Sequence, residues 1–597
     1  MRASSYIPES ELIQVKGNNI DFTGGRLEGP AAPKDPEERR SGFFVMFETA
    51  IEATARAEGS PSQEVYLEGN YLTDKARYIG GITDEGMLAL LTTWAGFREL
   101  VHSIGVSVKT GTGSEGGTVS FLMQNWGRSS KYETGTQLRV PCPGDGTEVL
   151  LKLEEVMWSG DDVSPGKFAF EFGREGELAT ASIIFYLNDG YTAPEATMEA
   201  PVDFGSLEYR AMIAKSLLHS GNNYRLRTAI DKAIKGEDVT IAYIGGSITQ
   251  GAGAKPTHTG CYAYQSYLQF KELFGKDGGE NIHYVKAGVG GTPSELGVIR
   301  YERDILREGA VTPDIVVVEF AVNDEGDETK GNCFESLCLK ILSDPARPAV
   351  ILLFSVFVND WNLQERLAPV GRHYNLPMVS IKDAVTGQFR LSKTEGNVIS
   401  KRQFFYDIYH PANDGHRVMA DCLGYLFSET CRSLRDEEDI TTAKRPVLGN
   451  DYANIRLLDR KSLTGLTDIG VEAGGFGATD TDLQRVELDA DPFGTPEFPH
   501  NWLHTAASGE DSFRMTLTSS ILILVYKDSG SPEFGRADIF VDGSLVLTAD
   551  PHVNSWTHCN PVILYQNEQS QQHVIEIRMA KEDKDKCFTI LGFGYTV

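Results

Sequence analysis

Residues 239–253, VTIAYIGGSITQGAG, constrain the fold more than any other stretch of the chain. The run 239–244 is almost continuously apolar and rich in β-branched and aromatic residues, the pattern of a strand buried on both faces. Gly245 and Gly246 then let the backbone turn without a Cβ penalty. Ser247 is therefore expected at the carboxyl end of a central parallel strand, the edge where open α/β sheets bind ligands. Taken alone, a serine there is more often an N-cap or turn residue, so its role is decided by the residues that can meet it.

Three later segments supply candidates. A strand pattern at 282–287 ends in GVGGTPS, a second at 314–320 ends in AVND, and a third segment reads YDIYHPANDGHRVMA. Ser247, Gly291 and Asn323 should then meet on one edge of one sheet, with Asp407 and His410 arriving from a loop that precedes a helix. Between them, helical patterns at 263–274, 294–307, 334–342, 362–374 and 411–431 alternate with further strands at 349–354 and 378–381. Such alternation implies right-handed βαβ crossovers and a parallel sheet with helices on both faces.

The chemistry these residues offer is acyl transfer. A serine hydroxyl attacks a carbonyl only when a base removes its proton. His410 is the candidate base, and Asp407, three residues earlier, is placed to hold the other ring nitrogen in the required tautomer. The charge that builds on the carbonyl oxygen needs fixed donors, which the Ser247 and Gly291 N–H groups and the Asn323 side-chain amide would provide.

The ordered set Ser247, Gly291, Asn323 and Asp407-x-x-His410 resembles the SGNH (GDSL-type) hydrolases. The first block reads GGSIT in place of GDSL, and Ala321 stands where the third block usually has glycine. The resemblance implies a flavodoxin-like three-layer α/β/α catalytic domain. It also implies Ser247, Asp407 and His410 as catalytic residues, an oxyanion hole of Ser247, Gly291 and Asn323, and no cofactor or metal.

Both flanks read as β structure. Residues 1–205 hold short alternating segments separated by Gly, Pro, Asp and Asn, as in a β-sandwich or jelly roll, with one helix expected at 84–103. Residues 206–238 form a helical connector to the catalytic domain at 239–436. Residues 445–597 return to period-two patterning, with a hairpin turn at Asp542-Gly543. Their FGRADIFVDGSLV segment looks like the galactose-binding-like β-sandwiches attached to carbohydrate esterases. That analogy implies removal of acetyl groups from an acetylated oligosaccharide or polysaccharide such as xylan or mannan, with Trp361, Trp502 and Trp556 as candidate sugar platforms. A lipid esterase or thioesterase of the same fold, or a non-catalytic carbohydrate-binding protein, are the alternatives.

The 597-residue chain is long enough for about three or four domains. Its 84 acidic against 56 basic residues give a net charge of −28, which repels phosphate backbones and argues against a nucleic-acid partner. No run of about 18 apolar residues suggests a membrane span. The amino terminus lacks an apolar export segment and the eight cysteines are scattered, so a cytoplasmic location with reduced thiols is the expectation; a homo-oligomer remains open. Other features carry less. GGSIT is not the G-x-S-x-G elbow. His500 and His504 have helical spacing but no carboxylate nearby. His416 is expected on a helix surface. Asp480, Asp482, Asp489 and Asp491 read as a solvated loop, with calcium binding the less favoured reading.

Overall fold

A computed structural model describes residues 33–596 apart from residues 55, 57–58, 112–117, 195–199, 465, 489–493 and 555. Its centre is a parallel sheet of five strands: β1 (Val239–Gly245), β2 (Ile282–Gly288), β3 (Ile315–Glu319), β4 (Ala349–Phe354) and β5 (Met378–Ser380). Their spatial order is β2-β1-β3-β4-β5, so the chain starts inside the sheet, lays one strand to one side and the rest to the other. The switch point lies beside β1 and brings the ends of β1, β2 and β3 together. Every residue of β3 and β4 is buried, as continuous apolar strands require when helices cover both faces. One hydrophobic cluster lies on each side of the sheet, built on Ile241, Tyr243 and Val317 on one face and on Ala242, Ile244 and Val318 on the other.

Elements outside the 239–436 segment complete the sheet. Leu217–His219 pairs antiparallel with β5 at one edge. At the other, Arg485–Leu488 pairs antiparallel with β2 and carries Thr495–Pro496 beyond it. The C-terminal part of the chain thus supplies two strands to the central sheet as well as building its own. That second sheet centres on the long strands Phe513–Asp528, His558–Met579 and Phe588–Thr596. Its hairpin Ala537–Val541/Ser544–Ala549 turns at Asp542 and Gly543, both at positive φ (51° and 80°), the turn geometry the Asp-Gly pair favours.

The N-terminal residues form two four-stranded antiparallel sheets. One has the order Gly42–Glu52, Leu178–Leu187, Val101–Thr110, Val149–Lys152; the other, Ser62–Tyr66, Asp162–Glu171, Thr118–Gly127, Gln137–Pro143. The helix expected at 84–103 is instead two short ones, Glu85–Leu90 and Trp94–Leu100, followed at once by a strand. The break has a local cause. Asp84 caps the first helix through Met87 N–H, and Thr93 caps a second through Gly96 N–H, so the chain restarts a helix where a single one would run on. A further helix, Tyr71–Tyr78, packs against the catalytic domain and has no clear pattern in sequence.

Candidate active site

Ser247 is the first residue of a single helical turn, Ser247–Gln250, entered through Gly246. At that position its N–H has no intrahelical acceptor. His410 lies 163 residues further along the chain, and its Nε2 is 2.9 Å from Ser247 Oγ. Its Nδ1 is 2.9 Å from Asp407 Oδ2 and 3.0 Å from Oδ1. An ionised carboxylate only accepts hydrogen bonds, so Nδ1 carries the proton and Nε2 is left to accept from the serine hydroxyl.

The loop geometry follows from its own hydrogen bonds. Tyr406 N–H donates to His410 O at 2.8 Å, closing the turn. Asp407 Oδ1 accepts from Tyr409 N–H at 2.8 Å and His410 N–H at 2.7 Å, an Asx-type arrangement that fixes carboxylate and imidazole relative to each other. Burial would raise the Asp407 carboxyl, but His410, Lys75 and the Tyr409 N–H outweigh it and hold the group below the usual carboxylate range.

Gly246 and Gly291 explain how the donors fit. A Cβ on Gly246 would lie 2.2 Å from Asn323 Oδ1 and 2.8 Å from its Nδ2, so the Asn323 amide lies directly against the backbone that leads into Ser247. Asn323 Oδ1 is buried without a hydrogen-bond partner, and Nδ2 makes no hydrogen bond among the described residues. Gly291 has φ +69°, and a Cβ there would meet His558 Nε2 and Trp556 Cζ2 at 3.1 Å each. The three donor candidates Ser247 N–H, Gly291 N–H and Asn323 Nδ2 stand at the ends of β1, β2 and β3.

Residues without a clear local signal support these positions. Arg300, fully buried, donates to Gly245 O at 2.9 Å and Ala287 O at 3.0 Å, tying together the ends of β1 and β2. His558 Nε2 donates to Gly291 O at 3.2 Å, and Gln484 Nε2 donates to Gly290 O at 2.6 Å. Both come from the C-terminal domain, which therefore walls the Gly291 side of the cleft. Burial pushes the His558 imidazole down to about 4, so it is neutral there, as its donor role to a carbonyl allows. Beneath Ser247, Glu319 is fully buried and accepts from Ser355 Oγ at 2.8 Å and Thr249 Oγ1 at 3.2 Å. Burial raises its carboxyl to about 7 despite those donors and His410.

The three tryptophans separate. Trp556 is 43% exposed and lies against Gly291, its ring 4.7 Å from that of His558. Trp502 does not face a cleft. It is 2% exposed, packed edge-on to Phe513 at 5.3 Å inside the C-terminal core, because its side of the strand faces inward, and this burial excludes it as a sugar platform. Trp361 is half-buried, stacked 5.7 Å from Phe357, whose ring meets Tyr409 at 5.1 Å; it backs the His410 loop. His416 is not on a helix surface either. It is buried, donates from Nε2 to Ala252 O at 3.0 Å and accepts Tyr262 N–H at Nδ1, with its imidazole lowered by burial to about 4. Asp489 and Asp491 lie outside the described residues. Asp480 and Asp482 instead pair with the buried Lys527 ammonium, 3.0 Å from each, so an internal cation neutralises the carboxylates that a calcium ion would have needed.

Residues 243–418 match the GDSL-like lipase/acylhydrolase family. The central domain is an SGNH-type hydrolase domain. Among solved structures, the chain is similar to a two-domain esterase (CEX) active on acetylated mannans, at 26% identity and a TM-score of 0.54 over 64% of this chain and 99% of that one. The same esterase co-crystallised with mannopentaose gives 26% identity and a TM-score of 0.53 over 64% and 98%. No curated protein matches the chain. The SGNH-type domain holds Ser247, Gly291 and Asn323 just past strand ends, brings Asp407 and His410 in on a loop, and takes its cleft wall on the Gly291 side from the C-terminal domain.

Proposed function

We propose that the protein is a serine carboxylic ester hydrolase that removes acetyl groups from carbohydrate. The observation that carries this reading is the unbroken chain Ser247 Oγ, His410 Nε2, His410 Nδ1, Asp407, with every link between 2.9 and 3.0 Å, beside donor candidates at three strand ends. Ser247 Oγ attacks the ester carbonyl carbon while His410 Nε2 takes its proton. The carbonyl oxygen becomes an oxyanion and is held by Ser247 N–H, Gly291 N–H and Asn323 Nδ2. Collapse expels the sugar hydroxyl, which leaves with the proton from His410. Water, deprotonated by His410 in turn, then releases acetate from the acyl-serine.

The preference for carbohydrate draws on two supports. Trp556 offers an exposed indole face at the rim beside Gly291, suited to stacking on the apolar face of a sugar ring. The two-domain esterase to which the chain is similar is active on acetylated mannans and has been crystallised with a mannopentaose. The experiment is acetate release from acetylated mannan and xylan oligosaccharides, set against p-nitrophenyl acetate and a long-chain p-nitrophenyl ester. Faster release from the oligosaccharides, lost in Ser247→Ala, is expected. Preference for the long-chain ester, or no acetate from any substrate, would overturn the proposal.

A further inference from the structure

The loop carrying Asp407 and His410 is gripped from outside its own domain. Among the described residues, four contacts join the N-terminal domain to this loop and to the short helix Lys401–Phe404 before it. Gln403 Nε2 donates to Ala200 O at 2.7 Å, and the Arg402 guanidinium lies 5.8 Å from the Phe47 ring centre. Lys75 Nζ lies 5.2 Å from the Tyr406 ring centre, and Tyr71 meets Tyr409 edge-on at 6.2 Å. The last two contacts come from one helix, Tyr71–Tyr78, whose Tyr78 also enters the catalytic domain's core. Tyr406 and Tyr409 flank Asp407 in sequence, so this helix packs against residues on both sides of the catalytic carboxylate, and the Lys75 charge reaches it.

Lys75 makes the contact more than packing. It is 4% exposed, and its ammonium makes no hydrogen bond or ion pair among the described residues. A buried ammonium without a close ionic partner is costly relative to an apolar side chain of similar volume, and such costs concentrate where function needs them. Ile79, just past the same helix, packs against the catalytic domain's core and shows that the interface accepts an apolar residue. Burial lowers the Lys75 ammonium, and the charges of Asp407 and then Asp74 oppose that. We propose that Lys75 is a positioning residue of the active site, whose ammonium biases the Asp407–His410 pair toward the ionised carboxylate and neutral imidazole that accept the Ser247 proton. This rests on the hydrolase reading.

Neighbouring groups fix the range in which the bias acts. The helix also carries Asp74, Arg77 and Tyr78; the loop carries Tyr406; Glu319 and His416 face His410 from the central sheet and the helix Asn413–Arg432. Burial raises both tyrosines and holds His416 down at about 4, so none of these three changes charge between pH 5 and 8. Asp74 and Glu319 do, each raised by burial to about 7. Below neutrality Asp74 is protonated, and Lys75 then acts uncompensated where His410 must stay neutral. Removing the cation makes His410 easier to protonate, so the acid limb of activity moves to higher pH.

The test uses the full chain with Lys75→Met, Lys75→Gln and Lys75→Arg, measuring kcat/KM on p-nitrophenyl acetate from pH 5 to 8 together with thermal melting. Lys75→Met and Lys75→Gln are expected to lose about three- to tenfold more activity at pH 5 than at pH 8, with no fall in melting temperature, and Lys75→Arg to restore the parent profile. A profile identical to the parent's, or an equal loss at every pH that accompanies a lower melting temperature, would overturn the inference. An inactive parent would instead sink the hydrolase reading on which it rests.

Discussion

Gly246→Ala isolates the oxyanion geometry with the smallest perturbation available. Its φ is negative, at −87°, so alanine meets no left-handed strain there, and the main cost arises from the new methyl group. That methyl would lie 2.2 Å from Asn323 Oδ1, 2.6 Å from Cγ and 2.8 Å from Nδ2. Ordinary contact is about 3.5 Å, so the amide must retreat by about 1 Å from the Ser247 side of the cleft. Loss of one such donor typically costs about 100- to 1000-fold in kcat, or about 3–4 kcal/mol of transition-state stabilisation. The ester is held elsewhere in its ground state, so KM should change little. The assay is steady-state kinetics on p-nitrophenyl acetate for Gly246→Ala, Asn323→Ala and the double variant, with melting curves for each. Truncating Asn323 removes the atoms the methyl would strike, so Gly246→Ala should cost less than about threefold in the Asn323→Ala background. A single variant that keeps its kcat, or an undiminished loss in the double variant, would refute the reasoning.

Other outcomes rest on the same geometry. Trp556→Ala should raise KM for an acetylated oligosaccharide about tenfold through lost stacking, while kcat/KM on p-nitrophenyl acetate stays within about twofold; equal losses on both would place the indole elsewhere than on the sugar. Glu319 holds its proton more tightly when folded, since burial raises it from 4.5 to about 7. Its cost to stability is therefore absent at pH values well below 4.5, grows as pH rises, and reaches its limit above about pH 7, at up to about 3 kcal/mol. Glu319→Gln should accordingly gain melting temperature relative to the parent between pH 5 and pH 8, and a gap that does not change with pH would contradict this. Glu497, fully buried in the C-terminal segment, pairs with Arg303 of the catalytic domain. Glu497→Ala leaves that guanidinium with Asp304, 2.7 Å away, as its remaining carboxylate, and should destabilise the chain by about 3 kcal/mol in denaturant titrations.

The catalytic domain was legible because its strands are unbroken apolar runs that stop at small or polar residues. Ser247, Gly291 and Asn323 each sit just past such a run, and Asp407 and His410 are close enough in sequence for one turn to hold both. Elements that depend on neighbours were not legible. Trp502 stands in an alternating strand, and alternation shows that one face is buried without showing which. His416 has a helical position but turns toward Ala252, which no local pattern reveals. Gln484, His558 and Lys75 reach the site across more than 190 residues, and no spacing rule connects residues so far apart. The helix expected at 84–103 failed for a local reason that was visible in part: Thr93 is a good N-cap, and a cap inside a helical pattern divides it.

Ser247 must be the nucleophile that forms the acyl-enzyme if this chemistry is right. Trapping with a serine-reactive phosphonate ester, followed by peptide mass spectrometry, reads this directly. A single adduct on the peptide containing Ser247 is expected, formed in the parent, absent in Ser247→Ala and slowed at least about 1000-fold in His410→Ala. An adduct on another residue, or esterase activity that survives Ser247→Ala, would contradict it.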